Sequence, residues 1–150
     1  MSYLPPGMPL PDPSPEDAPF WAACRERRLL IRHCEACQHF FHPPMPSCVH
    51  CGSVDVDWQE VSGEGSVFSY TVAHHAVHKA LRGNDPYNIV VIGLNDAGDV
   101  RLVSNLVDAA PGEIHIGMPV SLFWDEVEGG MLLPRFRKSV PVTASATGVP

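Results

Sequence analysis

Cys34-Glu35-Ala36-Cys37, then ten residues, then Cys48-Val49-His50-Cys51: this stretch decides how the chain begins to fold. Two residues between cysteines let a tight turn aim both sulfurs at one point, and two such turns supply the corners of a tetrahedron. Four thiolates at about 2.3 Å are the donor set of a closed structural Zn²⁺ site. Cys34, Cys37, Cys48 and Cys51 are therefore read as metal ligands, with Zn²⁺ as cofactor, one ion per chain. Four thiolates leave no position open for water or substrate, so the metal is structural rather than catalytic. The same sulfurs permit a two-disulfide staple or an iron site; the staple lacks an export signal and leaves a cysteine over. His33, His39, His42 and His50 flank the site and are expected at the surface or behind the ligands.

Between the knuckles, residues 38–47 carry Phe40, Phe41, Pro43, Pro44 and Pro46, the makings of a short rigid hairpin over the metal. It holds too little apolar material to fold alone, so metal binding supplies much of its folding free energy. Upstream, Ser14-Pro15-Glu16-Asp17 offers a cap, a first-turn proline and acids at the positive helix end. A helix over 16–30 follows, with Phe20, Ala23, Cys24 and, by the same spacing, Arg27 on one face. Cys24 is expected as a buried thiol; a reactive one has no partner pattern. Arg25, Arg27 and Arg28 complement the helix C-terminus or form a small basic spot. Seven of the sixteen prolines lie between Pro5 and Pro19, so residues 1–15 are an extended arm, loose or laid across a partner.

Downstream of Trp58 the pattern turns to strands. Residues 65–73 are β-branched and aromatic, 87–94 form a short apolar run, and Asn95-Asp96-Ala97-Gly98 turns the chain into 100–106. Residues 119–127 and 131–136 make a further pair around Glu128-Gly129-Gly130. Five strands with a long excursion before the fourth predict an OB-type barrel, with a small sandwich as the other fold. The excursion, 108–117, contains no helix-length run. It leaves one barrel end for a partner to dock on, or for the N-terminal helix to plug.

The 150 residues carry 10 basic and 17 acidic side chains, a formal charge of −7, and tetrathiolate zinc moves this toward roughly −9. That balance opposes a protein that neutralises a long run of phosphates. No apolar run approaches the roughly 18 residues of a membrane span, and the proline-rich start is no secretory signal. A cytoplasmic location with no membrane contact is expected.

The chain resembles the domain-of-unknown-function-35 family, a rubredoxin-like zinc ribbon fused to an OB-fold. The resemblance runs from about residue 16 to 138. It rests on Phe20-Trp21, Cys34-x2-Cys37 with Pro43-Pro44, and Cys48-x2-Cys51-Gly52. It continues in Gly65-Ser66-Val67-Phe68-Ser69-Tyr70-Thr71, Ser104-Asn105-Leu106-Val107, Ile116-Gly117-Met118-Pro119-Val120 and Leu133-Pro134-Arg135-Phe136. The whole is then mainly β: arm 1–15, N-terminal helix 16–30, zinc ribbon 31–58, five-stranded OB-fold 59–138 and flexible tail 139–150. The resemblance implies a non-catalytic accessory subunit of acyl-CoA metabolism, in a hetero-oligomer with a thiolase-like or hot-dog-fold enoyl-CoA hydratase partner. Acyl-CoA itself is an implied ligand, and Arg135-Phe136-Arg137-Lys138 offers cations around a ring for its phosphates and adenine. An ordinary last strand, Arg out and Phe in, explains the same residues.

Two other functions fit parts of the sequence. A zinc-ribbon/OB module could bind single-stranded nucleic acid, but residues 61–150 hold six basic and nine acidic side chains, a net −3. An enzyme could use the loop His74-His75-x2-His78, with Lys79 and Arg82 adding charge nearby. Adjacent strand residues point to opposite faces, so His74 and His75 cannot share a site on a strand, and no nucleophile elbow, phosphate loop or His-Glu-x-x-His accompanies them.

Overall fold

A computed structural model describes residues 2–83 and 86–139. Helix α1 spans Ala18–Arg25 and buries Phe20, Ala23 and Cys24. It is shorter than expected at both ends. Asp17, not Ser14, occupies the cap position, and its carboxylate accepts from the Ser14 backbone N–H at 2.6 Å and from the Trp21 indole at 3.1 Å. After Arg25 the chain reverses through Arg27 at φ 60°. Leu29 and Leu30, expected to be helical, open strand β1 (Leu29–Cys34) instead. The alternation Leu29, Ile31, His33 explains this, because it buries one face of a strand.

Strand β1 is the middle of a three-stranded sheet, between β2 (Phe40–Phe41) and β3 (Val56–Val61). All six residues of β1 pair with β3, from Leu29 opposite Val61 to Cys34 opposite Val56. The expected boundary between residues 58 and 59 therefore falls inside a strand. Gly63 then carries the chain into the second sheet. Its φ is 76°, and a Cβ there would lie 2.5 Å from Leu122 Cβ, so both torsion and space require glycine.

The second sheet contains the five expected strands: β4 (Glu64–Ala73), β5 (Tyr87–Leu94), β6 (Arg101–Ser104), β7 (Pro119–Val127) and β8 (Met131–Lys138). Their order is β6-β5-β4-β7-β8, and a parallel bridge between Leu106 and Phe136 draws the outer strands together. This curled sheet is the OB-fold. Between β6 and β7 the chain makes only a 3-10 turn at Pro111–Glu113. The barrel is plugged by its own helix: Phe20 and Cys24 share one buried apolar cluster with Leu106, Ile114, Met118 and Phe136.

One polar network is buried in the barrel. Asn88 accepts from the Leu106 N–H at 2.7 Å and donates to the Leu106 carbonyl at 2.8 Å. Asn105 donates to the Asn88 carbonyl and accepts from Arg135, which is paired with Asp125 at 2.6 Å. The N-terminal arm completes it. The Tyr3 hydroxyl accepts from both the backbone and side-chain N–H of Asn88, at 3.0 and 2.7 Å, and Asp125 accepts from Ser2 and the Tyr3 N–H. The arm thus lies on its own barrel. Of the expected tail, residues 140–150 lie outside the described residues.

Candidate metal centre

Each knuckle is closed by a backbone turn. The Gln38 N–H donates to the Cys34 carbonyl at 2.8 Å with Gln38 at φ 61°, and Gly52 repeats this on Cys48 at 2.9 Å with φ 77°. Cys34 N–H donates to the His39 carbonyl and Cys48 N–H to the Ser53 carbonyl, which anchors both turns from behind. The four sulfurs lie within 4.8 Å of one another, with Cys34–Cys51 at 3.7 Å and Cys37–Cys48 at 3.6 Å. A tetrahedron of 2.3 Å Zn–S bonds has edges of about 3.8 Å. A disulfide needs about 2.05 Å. The spacing therefore fits one tetrathiolate ion and not two disulfides.

The thiols are not equivalent. Burial opposes the Cys48 thiolate, yet the N–H groups of Cys51 and His50 and the neighbouring thiols outweigh it and hold its pKa down to about 6. Cys37 has the His39 N–H in its favour, but desolvation and the three other thiols push it up to about 12. Thiolate charge on the neighbouring sulfurs thus opposes ionisation of Cys37. A cation resolves that repulsion.

The flanking histidines do other work. His33 is buried, and its Nδ1 lies 3.0 Å from Asp57 and from the Gln59 amide. His39 and His50 stack with centroids 4.3 Å apart, and His42 packs on the Phe20 ring. His33, Glu35 and Asp57 also bring ligand-type atoms together, an arrangement that the 3.0 Å His33–Asp57 contact accounts for. Cys24 is fully buried, which pushes its thiol up to about 12 and makes it a core residue.

The remaining sequence-predicted sites do not assemble. Arg135 and Phe136 are buried, Arg135 against Asp125 and Phe136 in the core. Arg137 is exposed, and Lys138 pairs with Glu113 at 3.3 Å, so the four residues form no common surface for a nucleotide. The expectation "Arg out" fails at Arg135 because Asp125 and Asn105 wait for it inside. His78 Nδ1 accepts from Ala80 N–H and caps a short 3-10 turn, while His74 and His75 edge a hollow of about 120 Å³ beside Tyr87. Asp85, the nearest carboxylate in sequence, lies outside the described residues. Sequence reasoning missed Asp125, Asn88 and Tyr3. The signal for Asp125 was available: an acid between Trp124 and Glu126, in a strand facing a basic one.

The fold and the thiol cluster together define a zinc-ribbon/OB-fold protein. Residues 21–57 match the rubredoxin-like zinc ribbon domain of ChsH2, and 58–125 match its C-terminal OB-fold domain. The chain belongs to this family, DUF35. It is 48% identical over 126 residues to a probable enoyl-CoA hydratase alpha subunit from Thermomonospora curvata, covering 83% of this chain and 38% of the relative. A DUF35 domain-containing scaffold protein from Pyrococcus furiosus is 30% identical, over 76% of this chain and 85% of its own length. This chain thus spans little more than a third of the hydratase subunit but most of the scaffold protein. Among solved structures, a chain of the Ltp2-ChsH2(DUF35) aldolase superposes with a TM-score of 0.78 at 44% identity, over 87% of this chain and all of that one. A DUF35-family protein from Sulfolobus solfataricus, at 17% identity and a TM-score of 0.60, shares the fold. The ribbon family and the four adjacent thiols agree on one structural zinc.

Proposed function

We propose that this chain is a non-catalytic accessory subunit that binds a thiolase-like acyl-CoA enzyme, with a hot-dog-fold enoyl-CoA hydratase as the other partner class, and supports its assembly or substrate binding in the cytoplasm. Cys34, Cys37, Cys48 and Cys51 hold its zinc. The observation that carries the reading is the 44% identity, across the whole of the matched chain, to the DUF35 component of the Ltp2-ChsH2 aldolase. Two structural facts support it. The metal cluster is closed by four sulfurs, and the eight histidines are dispersed among a contact with Asp57, a packing contact with Phe20, a ring stack, a cap and the surface rather than gathered on one substrate position. Zinc bound here folds the ribbon tip. The nucleic-acid reading loses its basic platform with the burial of Arg135 and Phe136.

Affinity purification of the tagged chain from its source cells tests this. Recovery with a thiolase-like or hydratase-like subunit in fixed stoichiometry is the expected result. A lone monomer carrying one zinc, with no acyl-CoA enzyme attached, overturns it.

A further inference from the structure

Among the described residues, strand β4 has an open edge. It pairs with β5 along its length, but its pairing with β7 stops at Ser66. Val67 still donates to the Met118 carbonyl and accepts from the Gly117 N–H, and a bulge between Val67 and Ser69 then turns the strand outward. Which backbone groups lie on that edge follows from Asn88. Its N–H donates to Tyr3 and its carbonyl accepts from Asn105, so its backbone faces away from β4. Alternation along an antiparallel strand then turns Tyr87, Ile89 and Val91 toward β4, where they oppose Ala73, Thr71 and Ser69. Tyr70 and Val72 consequently present their N–H and C=O groups on the far side. No backbone partner meets them among the described residues.

The edge lacks the usual protection. Phe68-Ser69-Tyr70-Thr71-Val72-Ala73 contains no charge and no proline, and Phe68 and Tyr70 are 51% and 39% exposed. Natural sheets guard such edges with Lys, Pro or a covering element, since an unguarded one templates pairing with another chain. The adjoining surface is apolar, with Val103 74% exposed, and bears the guanidinium of Arg101 3.7 Å over the Phe68 ring. Arg101 pairs with Gly93, which has no side chain to stop it crossing β5. Aromatic rings beside an arginine are the composition of interface anchors.

We propose that the β4 edge at Tyr70 and Val72 is a strand-addition site for the partner enzyme. An extended segment of that enzyme pairs with β4, lays apolar side chains on Phe68 and Tyr70, and brings a carboxylate to Arg101. Main-chain bonds supply affinity and the flanking side chains supply selectivity. The inference rests on the accessory-subunit reading and adds the surface through which it acts.

The test uses the full chain, zinc-loaded, with the purified Ltp2 subunit of the related Ltp2-ChsH2 aldolase as probe. Proline at Tyr70 and Val72 removes outward donors while leaving the bonds to β5, so Tyr70→Pro/Val72→Pro is expected to keep zinc content and melting temperature and to weaken binding more than tenfold. Arg101→Glu is expected to weaken it as well. In the unmodified chain, the Tyr70 and Val72 amides are expected to exchange rapidly when free and to be protected in the complex, a readout that stands if the proline variant misfolds. Equal binding by folded proline variants, or exchange unchanged by the complex, overturns the edge while leaving the partner reading intact. Protection in the free chain that disappears on truncation after Ser139 also overturns it, by assigning the edge to the chain's own residues 140–150. No binding by the unmodified chain overturns the thiolase-like partner reading on which the edge rests.

Discussion

Among the described residues, the buried apolar residues at the ribbon tip are Cys34, Phe41 and Cys48, two of them metal ligands, whereas the cluster joining α1, the ribbon base and the barrel contains seventeen. The tip therefore has no core without its ion, and the barrel has a core that no ion touches. Between them runs β1, whose first residues Leu29 and Ile31 belong to the large cluster and whose last, Cys34, belongs to the metal. A single strand thus links two kinds of stability. Perturbing one kind should leave the other in place, and that is where the comparison can be broken.

Removing the metal has the largest expected effect. Structural zinc contributes on the order of 10–16 kcal/mol in isolated fingers. Chelation, or Cys34→Ser, is expected to unfold residues 34–53 and abolish the one-to-one zinc content, while amides of β5 keep their protection from exchange. Loss of β5 protection in the same step would show that tip and barrel are one cooperative unit. A well-folded tip with no metal would break the comparison from the other side.

Next comes the buried pair of Arg135 and Asp125. Truncating one partner of a buried pair leaves an uncompensated charge and costs about 3–5 kcal/mol. Arg135→Ala is expected to lower the unfolding free energy of the barrel by that amount, read from its denaturant titration, while zinc content stays at one per chain. Tyr3→Phe is smaller. It removes the hydroxyl that accepts from two Asn88 N–H groups, at a cost of about 1–3 kcal/mol, and is read by equilibrium denaturation. Stability unchanged by Tyr3→Phe would mean that the arm rests on the barrel without bracing it.

The same contrast explains what was legible in the sequence. The metal site was, because both pairs of ligands are local: C-x2-C fixes a turn, and only the meeting of two turns is long-range. The five barrel strands were legible from their turn residues and apolar runs. The sequence predicts too long a helix α1 because Leu29 and Leu30 continue a helical pattern locally, and only pairing with β3 declares them a strand. Arg135 was misplaced for a related reason. Alternation along β8 cannot show that Asp125 and Asn105, 10 and 30 residues away in sequence, await it inside. Tyr3 was unreadable because its partner is Asn88, 85 residues distant.

The smallest expected effect sits at the junction of the two regions. His42 follows β2 and packs on Phe20 of α1, with ring centroids 5.6 Å apart. Burial lowers its pKa from the usual 6.5, and the nearby Asp17 carboxylate only partly opposes this. In the unfolded chain the ring takes up a proton near 6.5, so between that value and its lower folded pKa the unfolded state binds more protons. The stability that His42 contributes is therefore complete above about pH 6.5 and declines as pH falls toward the folded pKa. Protonation of the metal thiolates acts in the same direction, so the histidine's share is the difference between the unmodified chain and His42→Gln, followed with zinc content alongside. Melting temperature is expected to fall more steeply between pH 7 and 5 in the unmodified chain, over the range where both retain zinc. Identical slopes would assign the acid sensitivity of this junction to the metal cluster alone, and would place His42 with the tip rather than with the helix it touches.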